Sequence, residues 1–211
     1  MGVLDLIFPK ACFGCKRGGV YLCKDCLRKE EIVDQIHLRN TPYLDGLACP
    51  FKYRCAVRKA ILALKYKFAS DIAKELGVHA ANAIKSGKFF KGKNIVIPIP
   101  AYRTRENWRG FNQAEEIGRH MAKALGWEFS KEALIKIKPT PAQTGLSGTE
   151  RLENLKGSFA VNSRLSVSPL PKIILFDDVW TTGSTLNEAA KSLKEKGTKV
   201  VWGIAFARGW R

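Results

Sequence analysis

The segment 172–186 reads KIILFDDVWTTGSTL and gives the clearest indication of the fold class. Its apolar start predicts a buried strand over 172–176, and the residues that follow predict a polar turn over 177–184. Helical spacing then predicts a helix over 185–196, and a second apolar run predicts a strand over 199–206. A strand, a helix and a strand in this order form a βαβ unit, in which the two strands are parallel.

The predicted turn has the composition of a ligand site. Asp177 and Asp178 place two carboxylates at the carboxyl end of a strand, where open α/β sheets bind ligands, and they can accept hydrogen bonds from a vicinal diol. Four hydroxyls surround the free N–H groups of the following helix, which suits a phosphate dianion. They belong to Thr181, Thr182, Ser184 and Thr185. Gly183 permits close approach of the backbone. The alternative is that Asp177 and Thr185 only cap the turn and the helix.

The chain before this segment also alternates helices and strands, which is typical of an open α/β sheet. Apolar residues at helical spacing predict helices over 57–68 and 72–84. Short apolar runs predict strands at 95–99 and 133–137. A polar stretch with little periodicity follows at 138–158, and long irregular segments of this kind are usually functional or disordered.

Charge is the unusual feature of the composition. The 211 residues include 36 Lys and Arg against 19 Asp and Glu, a formal net charge of +17. Residues 49–109 supply +11 of it, whereas residues 1–48 supply +1. A surface this positive attracts polyanions such as nucleic acid, anionic lipid or phosphorylated small molecules. The alternative is that the charge serves solubility. The 45% hydrophobic content excludes a disordered chain, and no apolar stretch has the length of a membrane span.

Four of the six cysteines form two Cys-x-x-Cys pairs near the N-terminus. They are Cys12 with Cys15 and Cys23 with Cys26. Two such pairs predict a structural Zn²⁺ site with four thiolate ligands, and iron held by the same thiolates is the main competitor. Two disulfides are the other alternative, but a chain with no export signal is expected in the reducing cytoplasm. Cys49 and Cys55 lack a second pair and are interpreted as ordinary thiols.

Two domains are predicted. Residues 39–42 are turn-prone, and the charge balance changes beyond them. We therefore expect a four-cysteine, zinc-ribbon-like module at 1–38 and an α/β domain at 42–211.

The segment 177–185 resembles the phosphoribosyl-pyrophosphate (PRPP) signature of the type I phosphoribosyltransferases, in which two acids precede a Thr-Thr-Gly-Ser-Thr loop. The resemblance implies the type I phosphoribosyltransferase fold, a central, mostly parallel sheet flanked by helices. It also implies that Asp177 and Asp178 are the catalytic pair and hold the ribose hydroxyls of PRPP, while the loop 181–185 holds its 5-phosphate.

Four features, in order across almost the whole chain, resemble the ComF family of competence proteins, which includes ComFC and is close to the GntX-like proteins. They are the two cysteine pairs, Leu64-Lys65-Tyr66-Lys67, the run from Pro98 to Ala114 with Arg103, Arg105 and Arg109, and Gln143-Thr144-Gly145-Leu146 with Arg151 and Asn154. All four precede the PRPP loop, and together they are more specific than that loop alone.

The three arginines after the strand at 95–99 can neutralise a pyrophosphate, because planar guanidinium groups bind phosphate oxygens bidentately. A solvated basic face is the alternative for Arg103, Arg105 and Arg109. The resemblance implies that their turn binds the pyrophosphate of PRPP, that Mg²⁺ arrives bound to it, and that the segment 138–156 is a mobile lid.

Two classes of function remain. The family resemblance implies a protein that handles single-stranded DNA during natural transformation, with proteins of the DNA-uptake machinery as candidate partners. Aromatic residues beside basic ones, such as Tyr53-Arg54 and Trp108-Arg109, agree with this because bases stack on aromatic side chains. The alternative is an active phosphoribosyltransferase that moves ribose 5-phosphate from PRPP to a nitrogenous small-molecule acceptor. A regulator that binds PRPP without chemistry is a third interpretation.

Overall fold

The structure is a computed structural model that describes residues 10–32, 41–64, 69–85, 90, 92–102, 111–139, 154–162 and 172–209. Five helices and eight strands lie within these ranges. The helices are α1 (Lys24–Arg28), α2 (Cys55–Ala63), α3 (Ala69–Lys85), α4 (Gln113–Leu125) and α5 (Ser184–Glu195). The strands are β1 (Gly46–Ala48), β2 (Phe51–Lys52), β3 (Asn94–Pro98), β4 (Glu128–Phe129), β5 (Leu134–Lys136), β6 (Phe159–Val161), β7 (Lys172–Trp180) and β8 (Val201–Arg208).

Six of the strands form one parallel sheet, in which β7 is central. The hydrogen-bonded order is β1-β8-β7-β3-β4, and β2 also pairs with β8. Every pairing in this sheet is parallel. The other two strands, β5 and β6, form a separate antiparallel pair. The predicted fold class, a mainly parallel sheet flanked by helices, is therefore confirmed.

The core lies on both faces of the sheet because successive residues of a strand face opposite sides. Ile174 and Phe176 of β7 pack with α2, α3 and α4 on one face. Ile173 and Leu175 pack with α5 and the β5–β6 pair on the other. All four side chains are buried, as is typical of the centre of a parallel sheet, and this explains the continuous apolar run in the sequence.

Most of the predicted elements are confirmed to within a few residues. The helices expected over 57–68 and 72–84 correspond to α2 and α3, and the strands expected at 95–99 and 133–137 correspond to β3 and β5. None of the described helices combines the length and the apolar character that a bilayer span requires.

The prediction of a turn over 177–184 is wrong in its first half, because β7 continues to Trp180. Asp177 lies opposite Ala205 of β8, and Trp180 lies opposite Arg208. The continuing ladder supplies partners for the backbone, and side chains such as Val179 and Trp180 favour strands. The two acids therefore lie on a hydrogen-bonded strand rather than in a loop.

The segment that carries the four paired cysteines packs on helix α3. The carboxylate of Glu75 accepts hydrogen bonds from the backbone N–H groups of Tyr21 at 3.0 Å and Leu22 at 2.6 Å. Nε2 of His79 lies 2.9 Å from the carbonyl oxygen of Leu22. Leu22 and Leu27 belong to the same buried apolar cluster as α3, so apolar and polar contacts both hold this segment in place.

A second set of contacts joins the same segment to β2. Glu30 accepts a hydrogen bond from Arg54 at 2.5 Å through its carboxylate, and its carbonyl accepts one from the N–H of Lys52 at 2.7 Å. The division into domains at 1–38 and 42–211 stays a prediction, and its boundary falls outside the described residues.

Candidate ligand site and metal centre

A cavity of about 230 Å³ opens at the carboxyl ends of β3 and β7, which are neighbours in the sheet. Its walls come from the residues after β3, the start of α4, the end of β7, the start of α5 and one residue of β5. The lining is formed by residues 99–102, 111–114 and 177–183 together with Lys136, Thr185 and Leu186. The cavity thus lies at the edge where parallel α/β sheets bind ligands.

Asp177 and Asp178 both line this cavity, and the backbone of β7 fixes their carboxylates. The N–H of Asp178 donates to Oδ1 of Asp177 at 2.9 Å, and the N–H of Val179 donates to Oδ1 of Asp178 at 2.8 Å. Each carboxylate is thereby held by the peptide group that follows it. The pair is presented from a rigid strand, which is the arrangement that precise ligand binding requires.

Burial raises the pKa of Asp177 well above its ordinary value, and the charge of the adjacent Asp178 raises it further. A hydrogen bond from the Asp178 backbone and the positive charge of Lys136 act in the opposite direction without reversing the shift. Two carboxylates this close favour a ligand that brings hydroxyl donors or a cation, since either relieves the repulsion between them.

The turn after β7 depends on Gly183. This residue has φ +81°, and a Cβ there would lie 2.7 Å from Nε1 of Trp180 and 2.8 Å from Cγ2 of Thr41. Both the backbone conformation and the space at this position therefore require glycine. The tight packing behind the turn holds the backbone between β7 and α5 in one conformation.

The hydroxyls of the turn lie around the start of helix α5. This helix begins at Ser184, and its N-cap is Gly183, which has no side chain that could cap it. The hydroxyl oxygens of Thr182 and Ser184 lie 2.8 Å apart and hydrogen-bond to each other. Thr181, Thr182 and Thr185 line the cavity, so the hydroxyl-rich turn forms part of its wall. That Asp177 and Thr185 only cap the turn and the helix stays an alternative.

The predicted pyrophosphate-binding arginines, Arg103, Arg105 and Arg109, lie outside the described residues. The backbone on either side of them is anchored by Asn112. Its Nδ2 donates to the carbonyl of Ile99 at 2.9 Å, and its Oδ1 accepts from the N–H of Ala114 at 3.0 Å. One buried side chain thus ties the end of β3 to the start of α4.

The segment 138–156 is described only at its ends. Gln143, Thr144 and Arg151 fall outside the described residues. Asn154 is exposed and does not line the cavity.

Sequence reasoning missed Lys136, which lines the cavity from β5. A lysine among apolar residues belongs to no motif, so no pattern singled it out. A usable signal did exist, because alternation along β5 places Lys136 on the same face as the buried Leu134.

The four paired cysteines converge on one point. Sγ atoms of Cys12, Cys15, Cys23 and Cys26 all lie within 4.8 Å of one another. The sulfurs of Cys15 and Cys23 are 3.6 Å apart, and a tetrahedral Zn²⁺ with Zn–S bonds of about 2.3 Å separates its ligands by about 3.8 Å. The cluster therefore fits a single zinc ion, and it fits iron by the same thiolate chemistry.

The backbone around this cluster is shaped to receive the sulfurs. The N–H groups of Gly14 and Cys23 each donate to Sγ of Cys12 at 3.4 Å, and a Cβ at Gly14 would lie 2.6 Å from Sγ of Cys26. Burial raises the pKa of Cys12, but the backbone hydrogen bonds outweigh it and lower the pKa to about 6. Burial and hydrogen bonds with the neighbouring thiols raise the pKa of Cys26 to about 12. Four thiolates this close would repel one another, so the cluster suits a cation that binds all four.

None of the six cysteines, all of which lie in the described ranges, forms a disulfide, so the disulfide alternative is wrong. Cys49 and Cys55 stand apart from the cluster, as expected. Cys49 is buried, and burial raises the pKa of its thiol to about 12, which leaves it protonated.

This is an α/β protein with a mainly parallel sheet, an acidic, hydroxyl-rich cavity at the carboxyl edge of the sheet, and a cluster of four cysteines that could hold a metal ion. Competence protein F of Haemophilus influenzae is 30% identical over 193 residues, which are 88% of this chain and 78% of that protein. DNA utilization protein YhgH of Salmonella typhi is 34% identical over 167 residues, 78% of this chain and 72% of that protein.

Competence protein ComFC of Bacillus subtilis is 26% identical over 207 residues, 89% of this chain and 79% of that protein. No protein-family model matches the chain. At this identity and coverage the chain belongs to the ComF family of competence and DNA-utilization proteins, which confirms the family resemblance.

Replacement of Gly183 by alanine is expected to lower the free energy of unfolding by about 2–4 kcal/mol, because strained backbone and a steric clash add together. Gly197→Ala is the matched control, since Gly197 also has positive φ but has no atom within 4 Å of a Cβ. We expect this control to lose only about 1 kcal/mol. Urea denaturation measures both, and equal losses would show that the packing of Trp180 and Thr41 does not constrain the turn.

Replacement of Cys12 and Cys15 together by serine is expected to remove the metal, because two of the four ligands are lost. Mass spectrometry of the purified protein should find one equivalent of metal in the wild type. In the variant it should find less than about a tenth of an equivalent, because half of the ligands are absent. Cys55→Ser is the control, since this exposed thiol lies apart from the cluster. A double variant that retains one equivalent would rule out the four-thiol site.

Proposed function

We propose that this protein binds PRPP in the cavity at the carboxyl edge of the sheet and handles single-stranded DNA during natural transformation. The observation that carries the first part is the pairing of two strand-held carboxylates with a hydroxyl-rich turn on the wall of one cavity. Carboxylates suit the two ribose hydroxyls of PRPP, and a helix N-terminus suits its 5-phosphate.

Each group of PRPP has a counterpart in this proposal. Asp177 and Asp178 accept hydrogen bonds from the ribose hydroxyls, and they are the proposed catalytic pair. The turn 181–185 holds the 5-phosphate through N–H groups and hydroxyls. Mg²⁺ enters with the pyrophosphate and keeps several of its waters. Arg103, Arg105 and Arg109 neutralise that pyrophosphate.

The four-thiol centre is proposed to hold structural zinc. All four ligand positions are filled by protein, which is typical of structural rather than catalytic zinc. Uncrosslinked thiols also suit a reducing compartment, so we propose the cytoplasm as the place of action.

The DNA part of the proposal rests on charge and on relatives. A net charge of +17 favours a polyanionic partner, and phosphate contacts dominate the affinity of proteins for nucleic acids. The names of similar proteins, competence protein and DNA utilization protein, point to the same kind of partner. Proteins of the DNA-uptake machinery are candidate partners as well.

A second candidate function, transfer of ribose 5-phosphate from PRPP to a nitrogenous acceptor, is favoured by the aromatic part of the cavity wall. Tyr102, Phe111 and Trp180 line it, and a planar heterocycle stacks well on such side chains. Release of pyrophosphate from PRPP in the presence of nucleobases tests this function directly.

Replacement of Asp177 or Asp178 by asparagine is expected to weaken PRPP binding by about 10- to 100-fold, because a charge-assisted hydrogen bond contributes about 1.5–3 kcal/mol. Calorimetric titration with PRPP and Mg²⁺ measures the change. Asp25→Asn is the control, since the exposed Asp25 pairs with Arg17 and is not part of the cavity wall. Unchanged affinity in both variants would remove the ribose assignment.

Binding of single-stranded DNA should weaken steeply with salt. If the protein contacts three to five phosphates, the slope of log K against log salt is about −2 to −3.5. Fluorescence titration of labelled single-stranded DNA at several salt concentrations measures this slope, with and without PRPP and Mg²⁺. Absence of binding at every salt concentration, with PRPP still bound, would favour the phosphoribosyltransferase over the DNA-handling function.

A further inference from the structure

Three polar side chains of helix α3 form a row that faces the segment with the four paired cysteines. They are Asp71, Glu75 and His79, which are spaced four residues apart and therefore lie on one face of the helix. Asp71 pairs with Lys10 at 2.6 Å, and the other two contact the backbone of residues 21 and 22. The side chain of Asp71 is 54% exposed, whereas those of Glu75 and His79 are 21% and 14% exposed. Glu75 and His79 therefore make their contacts largely away from water.

The backbone of Tyr21 and Leu22 is held at all four of its polar groups. Both N–H groups donate to the carboxylate of Glu75, that of Tyr21 to Oε2 at 3.0 Å and that of Leu22 to Oε1 at 2.6 Å. The carbonyl of Tyr21 accepts from the N–H of Phe13 at 2.9 Å. The carbonyl of Leu22 lies 2.9 Å from Nε2 of His79, and Nε2 is the donor because a carbonyl can only accept. Helix α3 supplies three of these four contacts.

These contacts end one residue before a proposed metal ligand. Cys23 follows Leu22 and is the N-cap of α1, the five-residue helix that also carries Cys26. A helix this short is not stable by itself, so its position depends on the chain that leads into it. The N–H of Cys23 also donates to Sγ of Cys12 at 3.4 Å. A shift of residues 21 and 22 would therefore move the second cysteine pair relative to the first.

Apolar packing and hydrogen bonds act differently on this segment. Leu22 and Leu27 lie in the buried cluster that also contains Leu76 of α3. Such contacts favour burial but set no direction, because the hydrophobic effect is non-directional. Two hydrogen bonds from successive N–H groups to one carboxylate do set a direction, and the charge of the acceptor strengthens them. Glu75 therefore fixes the orientation of the chain that leads into Cys23.

We propose that Glu75 and His79 are positioning residues of the four-thiol metal centre, and that they raise its affinity for zinc by fixing the chain ahead of Cys23. The inference rests on the proposed zinc centre and adds to it a supporting site on helix α3. Groups outside the ligand shell tune metal sites in this way, because ligands that are already in place lose less freedom when the ion binds. The bonds to the ion itself still come from the four cysteines.

Competition for zinc between the full-length protein and a chelator of known zinc affinity tests this role. Glu75→Gln keeps the shape of the side chain but replaces one acceptor oxygen by an NH₂ group, which cannot accept from an N–H. We expect this variant to bind zinc about tenfold more weakly, at the lower end of the effect of outer groups on metal sites. His79→Leu removes only the donor to the carbonyl of Leu22 and should weaken binding about threefold, the effect of one hydrogen bond.

Two control variants separate positioning from stability. Asp71→Asn changes the same row one turn earlier, but Asp71 pairs with the side chain of Lys10 and not with the backbone beside a cysteine. Ile173→Val removes a methyl group from the buried cluster on the opposite face of the sheet, which lowers the stability of the whole protein. Both controls should bind zinc as the wild type does. The melting temperature of each variant shows whether it is folded and how far it is destabilised.

The outcomes separate this inference from the proposed zinc centre. A wild type that binds no zinc overturns both. Where the wild type binds zinc, a variant with unchanged affinity overturns the role of its residue and leaves the zinc centre standing. An equal loss of affinity in Ile173→Val also overturns the inference, because weaker binding would then follow from a general loss of stability. Should Glu75→Gln not fold, His79→Leu gives the same comparison.

Discussion

The parallel ladder between β7 and β8 sets the position of the acid pair and the turn. It continues past the apolar run to pair Asp177 with Ala205 and Trp180 with Arg208. Without these last pairings the two acids would lie in a loop, where side chains are positioned less firmly. With them, the turn at Gly183 begins from a fixed point, and α5 starts at the cavity wall.

The same ladder places two carboxylates side by side, and the surrounding residues offset the repulsion between them only in part. The strand holds the half-buried Asp177 beside Asp178, and both burial and the neighbouring charge raise the pKa of Asp177. Backbone N–H groups stabilise each carboxylate, and Lys136 supplies a positive charge from outside the sheet. Hydroxyl donors or a cation would each relieve the repulsion within the acid pair, and the proposed ligand, PRPP with Mg²⁺, would bring both.

Local sequence patterns predicted the helices and strands, but they could not predict contacts between distant parts of the chain. The apolar run at 173–176 could be interpreted correctly because a central parallel strand is buried on both faces. The extension of this strand to Trp180 could not be predicted, because it depends on pairing with β8. The place of Lys136 in the cavity wall was not predicted for a similar reason. It depends on how β5 packs and not on the residues next to Lys136 in the sequence. The convergence of the four cysteines, in contrast, was predictable, because two Cys-x-x-Cys pairs can bring four thiols around one ion.

A continuous series of packed elements joins the metal centre to the ligand cavity. Glu75 of α3 holds the backbone just before Cys23, and burial, which raises its pKa, is outweighed by hydrogen bonds that lower it. Helix α3 meets α4 at Gly77, where a Cβ would lie 2.5 Å from Cβ of His120. Helix α4 starts beside Asn112, which is part of the cavity wall. Because packed helices resist deformation, this chain of contacts fixes the distance between the four-cysteine cluster and the cavity.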